Sequence, residues 1–143
     1  MGEVNVELFL ENSTDRENVK RGLMKEGDVR NLTTRAIVGT GAVMLVLPQD
    51  QVEELGLREL RKAIVTYADE RKEERPIAGA VTVRVGKREA IVECVVGPPG
   101  SEVLFGQIPL EAMDLIVDCP QQTLTPRPES PYLPTLKLKQ ENL

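Results

Sequence analysis

Ala36-Ile37-Val38-Gly39-Thr40-Gly41-Ala42-Val43-Met44-Leu45-Val46-Leu47-Pro48 is the stretch on which the fold turns: two apolar runs interrupted by small residues, with one hydroxyl between two glycines. Each run is too short to span a membrane and too rich in Val, Ile and Leu for a surface loop. The pattern therefore predicts two core strands joined by a tight turn. Gly39 and Gly41 then predict backbone with unusual dihedrals, or a close approach by another segment.

Working outward, Val4, Val6, Leu8 and Leu10 alternate with Asn5, Glu7, Phe9 and Glu11, the period of a half-buried strand, and Asn12-Ser13-Thr14-Asp15 supplies turn chemistry after it. The polar stretch Arg16 to Asp28, with few large apolar residues, reads as a second edge strand or hairpin. Pro48, the acids of 50–54 and Gly56 outline a short helix over about 49–56, packed through Val52 and Leu55, with Leu57 and Leu60 continuing that packing. Ala80 to Val85, Gly86-Lys87 and Arg88 to Val96 form the strongest hairpin signal, because Gly in the first central position suits a type II′ turn. Between them, Ile64 to Ile77 surrounds a charge run, Asp69 to Arg75, that by itself reads as a solvated hairpin tip or surface loop.

Toward the C-terminus, Val103-Leu104-Phe105-Gly106, a short helix over about 107–113 and Leu115 to Asp118 follow the Gly97-Pro98-Pro99-Gly100 loop. From Cys119 the composition turns to Pro, Gln, Thr and Ser, which excludes a sheet interior and predicts a last strand at Gln122 to Thr125. A Pro-rich tail follows, whose Leu136, Leu138 and Leu143 give it capacity to dock on a partner. The expected organisation is all-β, one domain over residues 1–120, with the last short strand and tail in 121–143.

At 143 residues and 41% apolar content the chain suits one modest core. The net charge of −5, with basic residues scattered rather than striped, makes nucleic acid a poor partner. Having no histidine, the chain lacks Ser-His and Cys-His catalysis and most zinc sites, so any chemistry falls to carboxylates, lysines, hydroxyls or the thiols of Cys94 and Cys119. The cysteine spacing suggests no metal site, and no cofactor is expected. With no leader-like or long apolar opening, the expectation is a reduced cytoplasmic setting and no membrane partner, while pairing of Cys94 with Cys119 stays open.

The segment around Gly39 resembles the active-site loop of the retropepsin-like (retroviral-type) aspartic proteases: an apolar pair, Asp-Thr-Gly, a small residue, then an apolar strand. Ile37, Val38, Thr40, Gly41, Ala42 and Met44 to Leu47 match, and Gly39 stands where the family carries its catalytic aspartate. A second signature of the family matches at Leu104, Phe105, Gly106, Leu110, Leu115 and Val117. The resemblance implies a small closed β-barrel, a homodimer sharing one site at its axis, and a cleft for extended peptide or protein. It places the catalytic loop at Gly39, Thr40 and Gly41, with Thr40 bonding across the axis. The substrate-binding positions are Ala42 and, in a flap covering bound peptide, Tyr67, Ala68 and Asp69. The alternative fold is another small β-barrel with a glycine-rich core turn.

By symmetry, Gly39 removes both members of the carboxylate pair that would activate water. Among the other aspartates, Asp69 at the flap base is the least implausible substitute. The chain thus reads as an aspartic endopeptidase scaffold, inactive in this form by natural loss or by substitution. Two alternatives are a pseudoprotease that grips peptide without cutting, and a dimerising unit whose tail recruits something else.

Overall fold

The computed structural model describes residues 3–39, 41–118 and 120–138. Strand β1 (Val4–Asn12) begins the fold with the predicted alternation, burying Val4, Val6, Leu8 and Leu10. It pairs antiparallel with β2 (Asn31–Val38), Val4 opposite Val38 and Glu11 opposite Asn31. Helix α2 (Gln49–Glu54) follows β3 (Leu45–Pro48), and Gly56 ends it with φ +65. Strands β4 (Arg58–Thr66), β5 (Lys72–Val85) and β6 (Arg88–Gly97) form a meander of two hairpins. Strand β7 (Val103–Phe105), helix α3 (Gln107–Met113), β8 (Leu115–Asp118) and β9 (Thr123–Pro126) complete the chain.

The main sheet runs β1-β2-β7-β3-β6-β5-β4, and a further β1–β5 pairing closes its first six strands into a mixed barrel. The expected all-β closed barrel with short helices is what the chain forms. Its interior is filled by Leu8, Leu10, Leu45, Leu47, Val81, Val83, Cys94 and Phe105, with Leu55 and Met113 closing it from α2 and α3. At roughly 1.5–3 kcal/mol per fully buried aliphatic side chain, this interior is the main favourable term in folding.

Four expectations are corrected. The two runs of 36–48 are core strands but not a hairpin: β7 lies between them, parallel to β2 and antiparallel to β3. The segment 39–44 is thus a loop reaching around a third strand rather than a tight turn. Residues 16–28 contain no strand; α1 (Ser13–Lys20) and a 3₁₀ turn at Glu26–Asp28 occupy them. The residues read as turn chemistry are a helix start, since the Asn12 side chain accepts from the Asp15 amide at 3.0 Å. Arg16 then bonds both Glu11 and Glu26, folding the segment back onto the barrel. Leu60 does not extend the α2 packing but stands on β4, 40% exposed, whereas Leu57 packs against the core.

The β5–β6 turn behaves as read: Gly86 has φ +58 while Lys87 stays out of the left-handed region, the requirement of a type II′ turn. The last strand is β9, paired with β8 one residue later than predicted. Beyond it the chain is tied to the barrel rather than free. Asp114, in left-handed conformation after α3, accepts from Arg127, the Ser130 hydroxyl and, at 2.8 Å, the Thr135 amide. Arg88, 6% exposed, donates to the carbonyls of Met113 and Asp114 at 2.9 Å and to that of Ser130. After this anchor Leu136 and Leu138 are exposed, and Leu143 lies outside the described residues.

Candidate functional site

The loop from Gly39 to Met44 is shaped from behind. The Gly39 amide donates to the Phe105 carbonyl at 3.3 Å, and the Gln107 and Ile108 amides at the start of α3 donate to Ala42 and Val43 carbonyls at 3.0 and 2.8 Å. Gly106 makes this approach possible: a Cβ there would stand 2.7 Å from the Ala42 oxygen and 2.8 Å from the Val43 carbonyl carbon. The close approach expected of Gly39 and Gly41 therefore belongs to Gly106. A Cβ on either loop glycine would meet nothing within 4 Å among the described residues, and Gly39 does not have a left-handed φ. Both glycines instead border open space.

That space is a cleft of about 710 Å³. Gly39, Gly41, Ala42, Val43 and Met44 form one side, and the β4–β5 hairpin, from Ala63 to Ala68 with Arg75 and Ile77, forms another. Val95, Gly97, Pro98, Ser101, Glu102 and Leu104 close the end near β6. The lining is mostly apolar, with a few polar groups at defined points, the usual make-up of a ligand cleft.

Of the residues singled out by sequence, Gly39, Gly41, Ala42, Tyr67 and Ala68 share this cleft. Thr40 lies outside the described residues, as does Cys119, so the Cys94–Cys119 question falls outside them too. Asp69 does not line the cleft. It is exposed at the hairpin tip, where its carboxylate accepts from the Arg71 amide at 3.1 Å and stabilises its own turn. That placement sets Asp69 apart from the cleft that Gly39, Ala42 and Tyr67 share. Cys94 is fully buried in the barrel interior, and burial pushes its thiol up to about 12, away from the reactive thiolate.

The charge run 69–75 is only partly a solvated tip. Tyr67, Glu73 and Arg75 are partly buried on the inner side of the hairpin: the Tyr67 hydroxyl donates to Glu73 at 2.8 Å, and Arg75 Nε donates to the Val96 carbonyl at 2.8 Å. The Glu73 bond, and after it burial, raises the Tyr67 pKa, so the phenol stays protonated. Arg71 stacks over the Tyr67 ring at 4.4 Å. Sequence reading missed Arg75, Ser101 and Glu102. The period-two placement of Glu73, Arg75 and Ile77 was the available signal for the first, masked by the charges around it.

Among the described residues Glu102 is the one carboxylate bordering the cleft, and it is exposed at the rim. Among the described residues no cluster of three or more His, Cys, Asp or Glu side chains could hold a metal, and no helix is long and apolar enough to cross a membrane. A family model described as aspartyl protease matches residues 26–108, from the 3₁₀ turn through the loop and hairpins to the start of α3. No curated protein matches the chain.

Proposed function

The chain belongs to the aspartyl protease family, and from that premise we propose that it is an aspartic-peptidase scaffold whose cleft holds extended polypeptide without hydrolysing it. The observation that carries this reading is the glycine at the head of the loop: Gly39 borders the cleft with no side chain, and the carboxylate lining that cleft among the described residues is the exposed Glu102. Peptide hydrolysis in this family needs a pair of carboxylates sharing one proton, one drawing a proton from water and the other giving one to the peptide carbonyl. Each such group is worth about 10²- to 10⁴-fold, and together they also position the water. The proposed assembly is a homodimer in which two copies of the 39–42 loop meet, so that Gly39 empties both positions. What remains suits binding: an apolar trough between a loop and a hairpin, where an extended chain can lie and present side chains to alternate walls. The reading includes a reduced cytoplasmic setting, supported by a thiol, Cys94, packed in the core.

The test is Gly39→Asp. The open space around a Cβ at 39 lets the carboxylate enter without displacing a neighbour among the described residues. Incubated with a library of unstructured peptides at acidic and neutral pH, the unaltered protein should bind but leave every peptide intact, and Gly39→Asp should cut. Turnover by the unaltered protein would refute the loss of catalysis. Failure of every peptide to bind would refute the binding role.

A further inference from the structure

We propose that the Pro98 end of the cleft is a carboxylate-accepting subsite formed by Arg75 and Ser101, so that the polypeptide held there presents an acidic side chain or its own C-terminal carboxylate at that point. The inference rests on the polypeptide-binding reading and names the chemistry that reading leaves open.

Arg75 is the cationic side chain bordering the cleft, and only 18% of it is exposed. Its one hydrogen bond among the described residues runs from Nε to the Val96 carbonyl, which orients the guanidinium and leaves Nη1 and Nη2 without a bonded acceptor there. The nearest anion, Glu73, sits with its Oε1 3.6 Å from Nη1, beyond good hydrogen-bond length, and that same oxygen already accepts from Tyr67. A guanidinium so withdrawn from water, with forked donors unfilled, is suited to bidentate capture of a planar anion.

Ser101 supplies the second, independent observation. Its hydroxyl is buried, borders the same cleft and has no hydrogen-bond partner among the described residues. It lies against Gly97, 2.6 Å from where a Cβ would stand, next to the Val96 carbonyl that Arg75 holds. The buried Ser101 hydroxyl is costly without a partner, and the cleft it borders also holds guanidinium donors that carry no hydrogen-bonded protein acceptor among the described residues. A carboxylate satisfies the two together. Glu102 opposes an anion here, but it is exposed at the rim, where water and salt screen it far more than the sheltered Arg75.

The measurement is fluorescence anisotropy with the full chain and a matched set of extended peptides: one with an internal Glu and an amidated end, one with Gln in its place, and the Gln peptide with a free C-terminal carboxylate. The unaltered protein should bind one of the two acidic forms about 10-fold or more tighter than the neutral amide, and which one identifies the source of the carboxylate. Arg75→Gln should abolish that preference, Arg75→Lys should keep only part of it, and Ser101→Ala should reduce it. Equal affinity for all three peptides in the unaltered protein overturns the subsite and leaves the binding role standing. Absence of binding by any of them overturns both. Because the first comparison needs no variant, misfolding of Arg75→Gln does not protect the proposal.

Discussion

Gly39 and Asp114 are single positions with opposite electrostatic roles. Gly39 contributes no charge at the cleft, whereas Asp114 concentrates one: Arg127, Ser130 and the Thr135 amide converge on its carboxylate and hold it well below the usual carboxylate range, the Arg127 bond contributing most. A group with a depressed folded-state pKa stabilises the fold fully above its unfolded value, near 3.8, and loses that contribution as pH falls through the lower folded value. The C-terminal anchor should therefore persist through pH 4 and loosen only in stronger acid. Hydrogen exchange of the Thr135 amide, followed by NMR against pH, should show protection at pH 4 and above. Asp114→Asn should remove most of that protection at every pH. Unchanged protection in Asp114→Asn would mean that the Arg88 contacts alone hold the tail.

At the level of elements, what distinguishes this barrel is a strand inserted between two others that the chain connects directly. The insertion of β7 between β2 and β3 works only if the start of α3 can press against the 42–44 backbone, and Gly106 is where that contact is made. Gly106→Ala puts a methyl group into the Ala42 and Val43 carbonyls, so it should destabilise the fold by about 1–3 kcal/mol in urea denaturation. Gly41→Ala, whose Cβ meets nothing described, should be close to neutral in the same assay. Asn12 ties α1 to the rest: while its Oδ1 caps the helix, its Nδ2 donates to the Leu55 carbonyl at 2.9 Å. Asn12→Ala removes both bonds from a buried site and should cost about 2–3 kcal/mol by the same measurement. Asn12→Asp keeps the cap but sets a carboxylate oxygen against the Leu55 and Gly56 carbonyls in a buried site, so it should cost at least as much as the alanine change. The helix was missed in the sequence because a cap and a turn use the same residue types, and α1 is too polar to show an apolar stripe.

For the whole molecule, the proposed homodimer makes a distinct prediction about charge. Two carboxylates restored at the axis repel when both are ionised and share a proton when one is not. In Gly39→Asp, self-association should be weaker at neutral pH than in acid, whereas the unaltered protein should show much less change over that range. Sedimentation velocity of both proteins at the two pH values reads this directly. Parallel pH responses would remove the carboxylate pair from the interface, and a monomer throughout would remove the shared cleft.

Local pattern alone settled which residues lie in strand β1, the later half of β5 from Ala80 and strand β6, the two helices around 49–56 and 107–113 and the type II′ turn. Each of these is written in neighbouring residues, through a period of two, a proline start with a glycine stop, or a residue type at one place. The order β2-β7-β3, the role of Gly106, the withdrawal of Arg75 into the cleft and the capture of the tail by Asp114 came only with the fold. They join residues far apart in the chain. Whether a charge is solvated or sheltered, and whether a glycine is crowded or bordering open space, depends on which distant backbone arrives beside it.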